Sequence, residues 1–153
     1  MIYSEAGENT MEPMNKQVMI ELHTTIDDNG QMEYNTIRQT GNFYKKKQMD
    51  VLTFEEVTDD KTTIRNFITI QPDKVTIKRS GDVAMNQQFR TQSTTENVFR
   101  HPYGTMHMET FTESITQQSL EQEQPGHLKM AYTVKLNGEE ERSHLLTLTY
   151  NEE

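Results

Sequence analysis

Leu128-Lys129-Met130-Ala131-Tyr132-Thr133-Val134-Lys135-Leu136 alternates large apolar side chains with small or charged ones along its whole length. That period of two is the signature of a strand with one face in a core and one in water. Asn137-Gly138 follows, a pair that accepts the positive φ angles of a tight hairpin. Leu146, Leu148 and Tyr150 then carry the apolar face back. The same grammar opens the chain. Val18, Ile20, Leu22, Thr24 and Ile26 alternate with Met19, Glu21, His23 and Thr25, Asp27-Asp28-Asn29-Gly30 supplies the turn, and a return strand is predicted near 31–39. Met32, Tyr34, Thr36 and Arg38 share one face of that return strand.

Between these hairpins the pattern recurs at short intervals. Strands are predicted at about 49–56, around Ile64, Asn66, Ile68 and Ile70, at Val75, Ile77 and Arg79, and at Met85, Gln87 and Phe89. A weaker stretch at 94–100 precedes the turn His101-Pro102-Tyr103-Gly104, and Met106 and Met108 alternate with His107 and Glu109 beyond it. Turn signals every 8–12 residues and about nine or ten strands point to an all-β chain. The absence of a sustained helical period agrees, as does a composition with Thr 21 times and Ala three times. Such a meander must hide its edges in a sandwich or a closed barrel. Consecutive hairpins without long crossovers favour an antiparallel up-and-down barrel. Residues 1–15, with Gly7, Pro13 and no periodicity, read as a flexible tail, and 16–153 as a single barrel domain. Val18, Ile20, Leu22, Ile68, Ile70, Ile77, Phe89, Tyr132, Val134, Leu146 and Leu148 are expected inside.

Composition excludes several functions. The 153 residues contain no cysteine, so there is no disulfide, thiolate zinc site or thiol nucleophile, which suits a reducing cytoplasm. A net charge of −9 opposes nonspecific binding to nucleic acid, which needs clustered Lys and Arg. No run approaches the roughly 20 apolar residues of a membrane span, and the first residues lack the pattern of a signal peptide. Neither nucleic acid nor membrane is therefore an expected partner.

Three motifs carry a resemblance. Arg79-Ser80-Gly81, followed by Met85-Asn86-Gln87 and Phe89, resembles a stretch of the YwiB-like proteins. His101-Pro102-Tyr103-Gly104-Thr105 is similar to that family's Pro-Tyr-Gly turn, and Thr40-Gly41 ahead of Phe43-Tyr44 also fits. The resemblance spans about residues 16–150. It implies a bacterial, cytoplasmic protein with a calycin-like (lipocalin-like) β-barrel, and it brings no activity and no site residues with it.

Catalytic and metal constellations are not visible in the sequence, so no catalytic residue, metal or cofactor is assigned. No histidine pair has i, i+2 strand or i, i+4 helix spacing. Ser80 sits in Arg-Ser-Gly rather than Gly-x-Ser-x-Gly, and no glycine-rich phosphate loop occurs. Glu55-Glu56, Asp59-Asp60 and Glu139-Glu140-Glu141 fall at strand ends or turns, the ordinary place for solvated charge. Lys45-Lys46-Lys47 reads as a hairpin tip.

One pattern is more informative. Arg38, Arg79, Gln87, Arg142 and His144 lie in phase with apolar residues, which in a closed barrel means the lumen. A buried guanidinium is costly unless paired. These side chains either line a ligand cavity, or sit at strand ends with their stems covering apolar surface. Glu33, Glu55 or Glu109 could serve as internal partners in place of a ligand anion. The expected function is a barrel that holds a small, partly apolar or anionic molecule. The alternative is a filled barrel acting as a non-enzymatic interaction or structural module.

Overall fold

The computed structural model describes residues 14–153. Of the segment read as a tail, 1–13 lie outside the described residues, and Met14 and Asn15 already belong to the first strand. Ten strands follow one another: β1 Met14–Asp28, β2 Gln31–Lys46, β3 Met49–Val57, β4 Thr63–Ile70, β5 Val75–Gly81, β6 Met85–Phe89, β7 Ser93–His101, β8 Gly104–Gln118, β9 Gly126–Leu136 and β10 Arg142–Glu152. No helix occurs among the described residues, so none is long and apolar enough to cross a membrane.

All ladders are antiparallel, and the sheet order is β6-β5-β4-β3-β2-β1-β10-β9-β8-β7. Every neighbour in that order is a sequence neighbour except β1 and β10, the first and last strands, whose ladder runs from Asp27↔Ser143 to Val18↔Glu152. This is an up-and-down barrel, nearly closed. Its seam lies between β6 and β7, where a continuous ladder gives way to single bonds. Ala84 and Arg100 exchange backbone bonds of 2.9 and 2.8 Å. Below them Thr95 Oγ1 donates to the Gln88 carbonyl at 2.6 Å and Asn97 Nδ2 to the Asn86 carbonyl at 2.7 Å. Side chains there occupy carbonyls that backbone amides would otherwise take.

The two hairpins expected from Asn-Gly pairs have the turn geometry those residues permit. Asn29 and Gly30 take φ of 53° and 94°, and Asn137 and Gly138 take 52° and 72°. The Gly30 amide also donates to Asp27 Oδ1 at 2.8 Å. Both glycines face open space, so a side chain there meets backbone strain alone. Gly30→Val and Gly138→Val should each lower stability by roughly 1–3 kcal/mol in urea unfolding. A neutral result at both would mean that the turns tolerate another geometry.

Odd-numbered turns and even-numbered turns gather at opposite ends of the barrel. At the end where β1 starts and β10 finishes the interior is solid. Val18, Ile20, Phe43, Leu52, Val75, Phe89, Leu128, Met130, Leu148 and Tyr150 are all at most 1% exposed. Tyr150 stacks on Phe43 with ring centroids 5.8 Å apart. Its hydroxyl donates to the buried Asp50 carboxylate at 2.7 Å, which also accepts from Ser119 Oγ and pairs with Lys45 Nζ at 3.1 Å. Four polar groups therefore satisfy one another beneath the core, as buried polar groups must. Lys45 is thus part of this plug, whereas Lys47, with φ of 56°, makes the hairpin turn itself. The expected core residues are all buried apart from Leu22, which is half-buried against the core.

Candidate functional site

The opposite half of the barrel is hollow. A cavity of about 580 Å³ is lined by apolar side chains that include Leu22, Ile26, Ile37, Ile68, Ile77, Met85, Phe99, Met108, Val134 and Leu146. It lies on the side of the turns that join β1–β2, β3–β4, β5–β6, β7–β8 and β9–β10. The inner positions follow from strand phase: even residues of β1, β3, β4, β9 and β10 and odd residues of β5 and β6 face inward.

The wall also thins near this mouth. β2 pairs with β3 only over Asn42–Lys46, and from Gln31 to Gly41 its sole ladder partner is β1. There Gln39 Nε2 reaches across to the Glu55 carbonyl at 3.0 Å. A shallower recess of about 710 Å³ marks the outer face at this divergence, between Thr40, Val57 and Phe67, and it shares only Asn66 with the lumen lining.

Four of the five residues expected in the lumen line this cavity. Arg79 on β5 reaches Glu56 Oε1 at 3.0 Å, and Asn66 Nδ2 donates to the same oxygen at 2.7 Å. The guanidinium and carboxylate are each about a quarter exposed, so both remain partly wet. Gln87 on β6 is 7% exposed and donates through Nε2 to Thr110 Oγ1 at 2.9 Å. Arg142 on β10 stands at the rim, its Nε 3.6 Å from Asp28 Oδ2. His144 on the same strand stacks on Tyr132, with centroids 5.0 Å apart.

Arg38 does not belong to this group. It points outward from β2, with its side chain 69% exposed and Nη1 3.6 Å from Glu21 on β1. The inward phase of β2 is odd, through Ile37, Gly41 and Phe43, and Tyr34 is 71% exposed. Met32 and Tyr34 are apolar yet outward, so the face they define is the outer one. The internal acid is also a different one. Glu55 pairs outside with Arg65 at 3.7 Å, whereas Glu56, in phase with Leu52 and Phe54, takes the lumen position.

Burial controls the titration of the site. The Tyr132 phenol, 6% exposed, is pushed well above its ordinary value by desolvation. Burial, with the nearby Arg142 charge adding to it, pushes His144 down from 6.5 to about 4. The folded barrel therefore holds this imidazole neutral, while the unfolded chain binds its proton near pH 6.5. Its contribution to stability is complete above that pH and is lost as the pH falls towards 4. At about 1.4 kcal/mol per pH unit across that window, roughly 3–4 kcal/mol is at stake. His144→Phe should flatten the stability profile between pH 6.5 and 4 relative to wild type, and an unchanged slope would place the titrating group elsewhere.

Comparison with known proteins agrees with this architecture. The Uncharacterized beta-barrel protein YwiB of Bacillus subtilis (strain 168) is 32% identical over 139 residues, which cover 90% of this chain and 96% of that relative. The crystal structure of ywiB protein from Bacillus subtilis superposes with a TM-score of 0.80 at 27% identity, over 91% of this chain and 93% of that one. The motifs around Arg79-Ser80-Gly81 and His101-Pro102-Tyr103 thus pointed to the right relatives. Residues 20–148 match the family described as Domain of unknown function (DUF1934), and the chain belongs to that family of β-barrel proteins.

Proposed function

We propose that the protein is a non-enzymatic binding barrel that takes a small, largely apolar molecule into the lumen through the mouth near Arg142 and His144. The observation that carries this reading is the cavity itself. Its volume of about 580 Å³ falls within the ~300–1,000 Å³ typical of small-molecule sites, and it combines an apolar wall with a few placed polar groups. Arg79, Asn66 and Glu56 lie on one side, and Gln87 with Thr110 on another. A barrel of this size can instead be filled by its own side chains. The solid half around Phe43 and Tyr150 is built that way, and the half above it is not. The polar pairs are already matched internally and set no nucleophile beside a base. A cysteine-free chain supports work in a reducing cytoplasm.

N-Phenyl-1-naphthylamine, a neutral probe that fluoresces in apolar surroundings, should brighten on mixing with the protein. Native mass spectrometry should show one probe per barrel. Met85→Trp, which places an indole in the lumen, should abolish both signals while leaving the β-sheet circular dichroism intact. If the wild-type protein gives neither signal, the filled-module alternative stands.

A further inference from the structure

We infer that the barrel selects amphiphiles with a cationic head group and discriminates against anionic ones; this rests on the binding reading above and adds the charge of the ligand. Start with the cavity wall. Its two guanidiniums are engaged, Arg79 with Glu56 at 3.0 Å and Arg142 near Asp28 at 3.6 Å. Neither is an unmatched cation waiting for a carboxylate. Glu33, on the inner face of β2 at the mouth, also lines the cavity and has no ion-pair partner among the described residues. The unmatched charge on the wall is therefore negative.

The surroundings of the mouth have the same sign. Asp59 and Asp60 occupy the β3–β4 turn and Asp82 the β5–β6 turn, while Glu139, Glu140 and Glu141 fill the β9–β10 turn. Lys61 is the one lysine or arginine among the turn residues at this end. At the closed end the turns are balanced: Lys47, Lys74 and Arg90 face Asp73, Glu121 and Glu123. The turns at the opening thus carry six acids against one lysine, whereas those at the closed end carry three of each sign. A cleft ringed by one sign over a low-dielectric wall focuses potential on whatever enters it.

The aromatic groups at the mouth suit a cation as well. His144 stacks there on the more deeply buried Tyr132, and Phe99 lines the same cavity from β7, two strands away from β9. Ring faces attract ammonium groups. His144 brings no opposing charge, because burial keeps it neutral at ordinary pH. Its flanking groups include Arg142 on its own strand, Asp28 on β1 and Glu33 on β2, and the two acids outnumber the arginine. An alkyl chain in the lumen with an ammonium beside Glu33 satisfies both features.

The test is displacement of N-phenyl-1-naphthylamine from the wild-type protein by dodecylamine, dodecanol and dodecanoate at pH 7. These share a tail and differ in the head. Dodecylamine should displace the probe at about one-tenth the concentration that dodecanoate needs in low salt. The gap should shrink in 1 M salt, where the Debye length is about 3 Å. Glu33→Lys should narrow or reverse the order while the neutral probe still binds. Equal displacement by all three, or tighter binding of dodecanoate, overturns the inference and leaves a binding barrel blind to charge. Failure of the probe itself to bind removes the binding reading, and this inference with it.

Discussion

Gly126→Ala should lower stability by about 3–5 kcal/mol or leave no folded protein, a large effect for a single methyl group. Gly126 begins β9 directly beneath the Tyr150 ring. A Cβ placed on it would sit 2.1 Å from Cε2 and 2.2 Å from Cζ of that ring. Neither neighbour can yield cheaply. Gly126 is paired with Tyr150 across the β9–β10 ladder, and the ring is held by its stack on Phe43 and its bond to Asp50. Moving the ring costs overpacking, typically 1–3 kcal/mol, together with a hydrogen bond to a carboxylate, worth about 1.5–3. Urea unfolding of Gly126→Ala alone and combined with Tyr150→Leu checks the mechanism. The smaller side chain should restore part of the loss, and a Gly126→Ala protein as stable as wild type would show that the ring has another place to go.

Asp50→Ala should cost a similar about 3–5 kcal/mol, for an electrostatic reason. Asp50 is 4% exposed and serves Tyr150, Ser119 and Lys45 at once. Its removal leaves a buried phenol and a hydroxyl without acceptors and a half-buried ammonium without its counter-ion. Tyr150→Phe removes one donor instead and should cost about 1.5–3 kcal/mol. The two substitutions share a bond, so the double variant should lose less than the sum of the single losses. Strict additivity would mean that the Tyr150–Asp50 bond contributes nothing to the folded state.

The parts of this architecture that were legible in the sequence are those fixed locally. Asn29-Gly30 and Asn137-Gly138 require positive φ whatever surrounds them, and the apolar alternation from Leu128 to Leu136 has one inward solution. Arg38 was misplaced because local alternation had nothing to anchor it. Residues 31–36 of β2 are exposed on both faces, so Met32 and Tyr34 mark no core, and the true phase appears only at Ile37 and Phe43. Partner identity was out of reach for a related reason. Glu56 meets Arg79 because β4 sets both registers, with Phe54↔Asn66 on one side and Asn66↔Arg79 on the other. Glu56 did carry a local sign, its phase with Leu52 and Phe54. Asp50 shares that phase, but nothing local names its partner, since Tyr150 lies 100 residues away.

The β1–β10 ladder has a consequence for how the barrel comes together. All other ladders join strands that follow one another, so their loops close over short separations. Pairing Val18 with Glu152 closes nearly the whole chain in one event, and contacts of such long sequence range slow the folding of small domains. A circular permutant that links the β10 end to the β1 start and opens the chain at 90–92 would turn that ladder into a hairpin. Its strands would then follow the sheet order from one edge to the other, leaving the β6–β7 seam as the final, non-local closure. Because that seam rests on isolated bonds from Ala84, Thr95 and Asn97, the permutant should reach a paired sheet sooner than the parent and close its circumference as a separate, later phase.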